Sequence, residues 1–197
     1  ILSINKNFNL RKMKKYIRPA LVLTLGMAAI VGVYTLFVFG IGKVTPQNGL
    51  GEQITVNGKK QYANIGQQFT LPQYFHGRPS AVDYNAAGSG GSNKGPNNPE
   101  YLAEVQKRID TLLIQNPTMT EVKIPVDLIT ASGSGLDPNI SVQAAEFQID
   151  RVAKARNIST EKVKELIAQN ASDENIVFFA PQKVNVLKLN AALENLK

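Results

Sequence analysis

The stretch that comes nearest to catalytic chemistry is Ala87-Gly88-Ser89-Gly90-Gly91. A serine nucleophile elbow reads G-x-S-x-G, because a sharp turn must expose the hydroxyl at the tip of a strand. Here Ala87 stands in the first glycine's place, and His76 and Asp83 supply a candidate base and a candidate orienting acid. All three lie within one loop, however, whereas a triad is normally assembled from separate rigid elements. His76 is the only histidine, and a lone histidine beside Tyr74 and Phe75 reads first as a packed side chain. The same loop fails as a phosphate cradle. A P-loop needs Gly directly before its Lys and Ser or Thr directly after it, but Asn93 precedes Lys94 and Gly95 follows. A metal site needs clustered His, Cys or carboxylates. The sequence has no cysteine, and Asp127 and Asp137, which flank a Gly/Ser loop, read as a turn acid and a helix-entry acid.

The elements around these residues are legible from pattern. Residues 69–99 show neither a period of 2 nor one of 3.6. A loop of this length in a compact domain is functional or disordered, and the embedded Phe69, Tyr74, Phe75 and Tyr84 favour an ordered binding loop. Residues 130–138 form a second small-residue loop. Ile54–Val56 followed by Asn57-Gly58 predicts a hairpin whose return strand is Tyr62–Ile65. Asn98-Pro99-Glu100 starts a helix, with a capping Asn, Pro at the first position and an acid in the first turn. Leu102, Val105, Ile109 and Leu112 give it one apolar stripe, and Pro117 stops it. Val122–Leu128 reads as a strand. Ser141 caps a helix to about Arg156, with Val142, Ala145, Ile149, Val152 and Ala153 inward. Ser159 caps another with Val163, Leu166 and Ile167. Ile176–Phe179 and Lys183–Val186 read as short strands, and Val186, Leu189, Leu193 and Leu196 share one face at the C-terminal end. The fold class predicted is an α+β extracytoplasmic domain on a single N-terminal transmembrane helix.

That helix is Pro19–Gly42, 24 residues without a charge. At about 1.5 Å per residue it spans roughly 36 Å, enough to cross a ~30 Å hydrocarbon core with some tilt. A signal peptide would have a shorter apolar core and a small-x-small cleavage site, for which Gly40-Ile41-Gly42 is a poor substitute. Lys6, Arg11, Lys12, Lys14, Lys15 and Arg18 precede the span with no acid among them. The positive-inside bias therefore puts residues 1–18 in the cytoplasm and 43–197 outside. Ile1 is no initiator residue, and Met13-Lys14-Lys15 is the more natural start, so residues 1–12 are expected to be an over-extended reading frame. Thr24, Ala28 and Gly32, at i, i+4 and i+8, offer a small-residue face on which another membrane helix could pack.

The net charge of +7 resembles a nucleic-acid signal, but the basic tail supplies six of those charges and leaves +1 for residues 19–197. The excess is a topology signal beside a membrane, and no nucleic-acid partner is expected. About 155 residues after the span can bury one core.

Tyr74-Phe75-His76-Gly77-Arg78-Pro79-Ser80-Ala81 through Asp83-Tyr84-Asn85-Ala86-Ala87-Gly88-Ser89-Gly90-Gly91-Ser92-Asn93 resembles a signature of the C subunit of the Kdp-type potassium-transporting P-type ATPase. Val126–Pro138 with Ile140-Ser141, Arg151-Val152-Ala153-Lys154-Ala155-Arg156, and Val184–Leu187 with Leu189-Asn190 resemble others of that family. So do the short basic start and the single span, and the likeness covers residues 13–197. The resemblance implies a non-catalytic subunit in the bacterial inner membrane, with a potassium-channel-like subunit and an ATP-hydrolysing P-type subunit as partners. ATP and K⁺ would be handled by the complex, with no cofactor, metal or catalytic residue of the chain's own. It implies a role in holding the assembly together and, as a catalytic chaperone, in raising the ATP affinity of the pump subunit. The charge asymmetry argues back, since ATP is inside and residues 43–197 are outside, so such an effect would be indirect.

On this reading the partner-docking residues are Tyr74, Phe75, Gly77, Arg78, Pro79, Ser80, Asp83, Tyr84, Asn85, Ser89, Gly90, Gly91, Ser92 and Asn93 in the first loop. Around the second they are Asp127, Thr130, Ser132, Gly133, Ser134, Gly135 and Asp137. Two other classes stand beside it: a membrane-anchored extracytoplasmic serine hydrolase, in which Ser89→Ala would abolish activity, and an envelope ligand-binding module without membrane partners.

Overall fold

The computed structural model describes residues 10–56, 58–120, 124–172 and 181–196, with side chains from Lys15 onward. The expected strand Ile176–Phe179, residue Asn57 of the predicted turn, residues 122–123 of the expected strand Val122–Leu128 and most of the expected over-extension at 1–12 lie outside the described residues. The chain divides into two compact units, Ile1–Gly51 and Glu52–Lys197.

In the first unit, helix α1 runs Leu10–Val44. Its stretch Lys15–Val44 is long and apolar enough to cross a membrane, and none of that window is buried within the chain. Leu21, Ile30, Val33, Leu36 and Phe37 all stand exposed, as expected of a helix that lipid or another protein covers rather than its own chain. A short 3₁₀ turn, Pro46–Gly49, follows.

The second unit opens on an antiparallel hairpin, β1 (Gln53–Val56) with β2 (Lys59–Tyr62). Gln53 pairs with Tyr62 and Val56 with Lys59, so the return strand begins three residues earlier than the expected Tyr62–Ile65. The cause is the turn. A two-residue connection makes residue 59 the partner of Val56, and Gly58 takes the positive φ (+73°) such a turn requires. Helix α2 (Pro99–Gln115) starts as predicted, with Asn98 accepting from the Tyr101 N–H. No side chain of α2 is buried, and Leu102 of its apolar stripe is half exposed.

The expected strand at Val122–Leu128 is corrected for its described part: Val126–Leu128 is a 3₁₀ turn. Pro125 has no N–H for a ladder. Asp127 is instead drawn to the next element, accepting from the Ser141 N–H (2.7 Å) and Oγ (3.2 Å). Strand β3 (Asn139–Ser141) pairs antiparallel with β4 (Lys183–Asn185). Ser141 caps α3 (Val142–Glu146), which is followed by α4 (Ile149–Arg156), α5 (Thr160–Asn170, capped by Ser159) and α6 (Val186–Asn195). The single helix expected over 142–156 is thus two. Gln148 donates its side-chain amide to the Ala144 carbonyl (3.0 Å), while its backbone N–H moves to the Ala145 carbonyl. A side chain has taken the i−4 acceptor and tightened the turn. Val186 likewise opens α6 instead of ending a strand, because Asn185 caps it at the Lys188 N–H.

One core joins these elements. Ile140, Ala145, Phe147, Val152, Val163, Ile167, Val184, Leu189 and Leu193 are buried together, which matches the apolar faces expected of α4, α5 and α6. Phe75, fully buried, is the contribution of the long loop.

Candidate functional site

The two loops form one structure. From the first, the Ser80 hydroxyl donates to the Gly135 carbonyl (2.7 Å) and accepts from the Tyr84 N–H (2.9 Å) and the Val82 N–H (3.2 Å). The Ser132 N–H donates to the Pro79 carbonyl (3.0 Å), and the Gly90 N–H and Ser89 Oγ both donate to the Ser134 carbonyl (2.9 and 3.0 Å). Arg78 meets Asp137 at 3.4 Å. Within the second loop the buried Ser132 Oγ accepts from Gly135 N–H and Ser134 Oγ from Leu136 N–H, and Thr130 Oγ1 donates to the Val126 carbonyl.

Small residues are dictated by this closeness. A Cβ on Gly91 would stand 3.2 Å from the Gly133 carbonyl oxygen, and one on Gly77 2.8 Å from Tyr84 Oη. At Gly135 (φ +68°) it would stand 2.5 Å from Val82 Cγ2 and 2.8 Å from the Gly90 carbonyl oxygen. Asp83, Tyr84 and Asn93 themselves adopt positive φ, which the pinned backbone on either side imposes. The outer arch, Asn85–Ser89, is exposed, with Asn85 Oδ1 accepting from the Ala87 N–H.

Electrostatics inside the double loop favour neutral or paired groups. Burial, and then the Asp137 charge, push the Tyr84 phenol up to about 12, and its hydroxyl donates to the Arg78 carbonyl. Burial, and then the Arg151 charge, lower His76 to about 4, and its Nε2 faces the Leu71 carbonyl at 3.1 Å. His76 is therefore neutral near pH 7. Its ring and the Ser89 hydroxyl are each engaged with a backbone carbonyl rather than with one another. Between the first loop and α2 lies a cleft of about 430 Å³, lined by His76, Arg78, Tyr84, Lys107 and Arg108 among others. Glu104, which also lines it, pairs with Lys94 at 2.8 Å, and Arg108 reaches the Ile129 carbonyl (2.9 Å).

Four side chains that the sequence reading gave no site role, although Arg151, Arg156 and Asn190 fall within the signatures quoted above, position the segment 72–76. The buried Asn190 amide accepts from the Phe75 N–H (2.8 Å) and donates to the Phe75 carbonyl (3.0 Å). The buried Gln148 amide does the same for His76 (2.8 and 3.1 Å). Each amide stands in for a neighbouring β-strand. Arg151 donates to the Pro72 and Tyr74 carbonyls (2.5 and 2.9 Å) and to Gln148 Oε1 (2.6 Å), and burial lowers it to about 10. Arg156 donates to the Gln73 carbonyl (2.8 Å), pairs with Glu194 (2.7 Å) and lies over the Tyr74 ring. The available signal was a polar residue inside an apolar stripe: Asn190 falls four residues after Val186 and three before Leu193, where burial demands a partner.

The structure thus brings the two candidate loops together and mounts them on α4 and α6. Thr24, Ala28 and Gly32 belong to the other unit, on α1, where all three are exposed.

Comparison with known proteins places this architecture. A family model described as the K⁺-transporting ATPase c chain, KdpC, matches residues 17–195. A potassium-transporting ATPase KdpC subunit of Flavobacterium johnsoniae is 55% identical over 177 residues, covering 89% of this chain and 94% of that one. The KdpC subunit of Flavobacterium psychrophilum is 52% identical, covering 93% of this chain and all of its own (100%). That of Bacteroides thetaiotaomicron is 45% identical with the same coverage, 93% and 100%. On a family match across nearly the whole chain, with relatives of this identity over most of their length, the chain belongs to the KdpC family, the c chain of the K⁺-transporting ATPase.

Proposed function

We propose that the chain is a non-catalytic assembly subunit of a potassium-uptake complex, anchored in the bacterial inner membrane by α1 with its N-terminus in the cytoplasm. Residues 43–197 then lie on the extracytoplasmic side, and the double loop docks on that face of a potassium-channel-like subunit. The observation that carries this reading is the prebuilt double loop. Backbone and hydroxyl groups of residues 79–90 bond across to residues 132–135, so the exposed arch Asn85–Ser89 is held in one shape, and little ordering entropy remains to be lost on docking. The non-catalytic reading rests on Ser89, whose hydroxyl donates to the Ser134 carbonyl rather than to a base. Any influence on ATP hydrolysis by the P-type subunit passes through helix packing, as a coupling free energy between separate sites.

A tagged chain drawn from detergent-solubilised membranes of K⁺-starved cells tests this. Co-elution of two larger membrane proteins with K⁺-stimulated ATP hydrolysis is expected, and that activity should survive Ser89→Ala. Elution of the chain alone refutes the assembly role.

A further inference from the structure

A hydroxyl inside a hydrocarbon layer must find an acceptor, because no water is there to serve. Two hydroxyl side chains stand side by side on α1. Thr35 satisfies itself by donating to the Val31 carbonyl at 2.7 Å. Tyr34 cannot: its phenol reaches beyond its own backbone, and among the described residues nothing of the chain bonds to it. Its depth closes the other escape. Tyr34 precedes Gly42 by eight residues, about 12 Å along the helix. Side chains on a helix lean toward its N-terminus, so the ring tilts toward the centre of the span and away from the nearer surface. A tyrosine of the interfacial belt sits at a helix end instead, as Tyr16 does beside Lys15 and Arg18. The Tyr34 ring forms one wall of a shallow apolar groove of about 430 Å³ with Ala29, Ile30, Val33 and Phe37. This groove is well away from the Thr24, Ala28, Gly32 face, since Val33 is turned about 140° from Ala28 at 100° per residue.

We propose that this groove seats a transmembrane helix of a partner subunit, and that Tyr34 donates its hydroxyl to an acceptor on that helix at mid-membrane depth. The acceptor is a carbonyl freed at a helix break or a polar side chain. The family is one chain of a K⁺-transporting ATPase, so a helix of another chain of that complex is the occupant; a second copy of α1 is an outcome of the test below. The inference rests on the reading of the chain as a subunit of a membrane complex. It goes further by assigning the residue and the chemistry of the contact.

The test places the photoreactive residue p-benzoylphenylalanine at position 34 of the full chain, in cells that make the whole complex, with the same residue at position 16 as control. Irradiation is expected to join position 34 to a larger membrane polypeptide. Tyr34→Phe, which removes one oxygen and leaves the anchor's length and apolarity intact, should weaken retention of the chain by the detergent-solubilised complex roughly three- to twentyfold, the range measured for hydrogen bonds between membrane helices. Adducts to lipid alone or to a second copy of the chain overturn the proposal, as does unchanged retention of Tyr34→Phe. If the wild-type complex is recovered whole while position 34 reaches only lipid, this inference fails and the subunit reading stands. If the wild-type chain is recovered alone, both fail.

Discussion

Replacing Gly135 by alanine should be far more damaging than the same change two residues earlier, at Gly133. Gly135 has φ +68°, and a Cβ there would come within 2.5 Å of Val82 Cγ2 and 2.8 Å of the Gly90 carbonyl oxygen. The left-handed backbone costs a residue with a Cβ about 1–2 kcal/mol. Val82 can turn, but the Gly90 carbonyl belongs to backbone tied to Ser134, and forcing such a site apart adds about 1–3 kcal/mol. The sum, roughly 2–5 kcal/mol, corresponds to a fall in Tm of about 5–15 °C for a unit of this size. A Cβ on Gly133 meets nothing within 4 Å. Its only effect is to stiffen the unfolded chain, which is neutral or stabilising by up to about 1 kcal/mol. Calorimetry of the full chain in detergent measures both variants. Near-ultraviolet circular dichroism, which in a chain without tryptophan reports its tyrosines, shows whether the site around Tyr74 and Tyr84 is kept. Equal losses in the two variants, or none at Gly135, would show that the loops do not meet as described.

Two further outcomes follow from the residues beneath the loop. Asn190→Leu suits the apolar stripe of α6 but strands the Phe75 N–H and carbonyl; it should cost roughly 2–4 kcal/mol by the penalty for unpaired buried groups, read as a lower denaturation midpoint at unchanged slope. His76 is held down to about 4 from 6.5, so below pH 6.5 the unfolded chain takes up a proton that the folded chain refuses. The stability tied to this group is complete above pH 6.5 and is lost as pH falls toward about 4; His76→Gln should flatten the acid limb of a Tm-against-pH curve, and an unchanged limb would exclude His76 as its cause.

The elements that could be read from sequence are those governed by neighbours within four residues. Asn98, Ser141 and Ser159 cap helices because a short polar side chain reaches an amide two or three positions on, and that arrangement is local. The charge-free run of α1 is legible for the same reason. What escaped was set at long range. The break between α3 and α4 has no Gly or Pro to announce it. It arises because the Gln148 amide serves Ala144 and, 72 residues away in sequence, the backbone of His76. The pairing of the two loops joins residues 45 and 55 positions apart, Ser89 to Ser134 and Ser80 to Gly135. Both loops could be named as a candidate site from their composition, but their union could not.

Helix α2 differs from the other described helices of its unit in having no buried side chain. Its polar ties to the remainder include the solvent-exposed Lys94–Glu104 pair and the Arg108 bond to the Ile129 carbonyl, interactions that dissolved salt weakens. Little of the core free energy therefore guards its amides. They should exchange with deuterium through a local opening that leaves α4, α5 and α6 folded, whereas the amides of those three are released only by global unfolding. Raising the ionic strength should lower the first barrier and leave the second in place. On this expectation the wall of the 430 Å³ cleft formed by Lys107 and Arg108 should melt separately from the rest of the domain, peeling away from the loop while the clamp of Asn190, Gln148 and Arg151 keeps its grip.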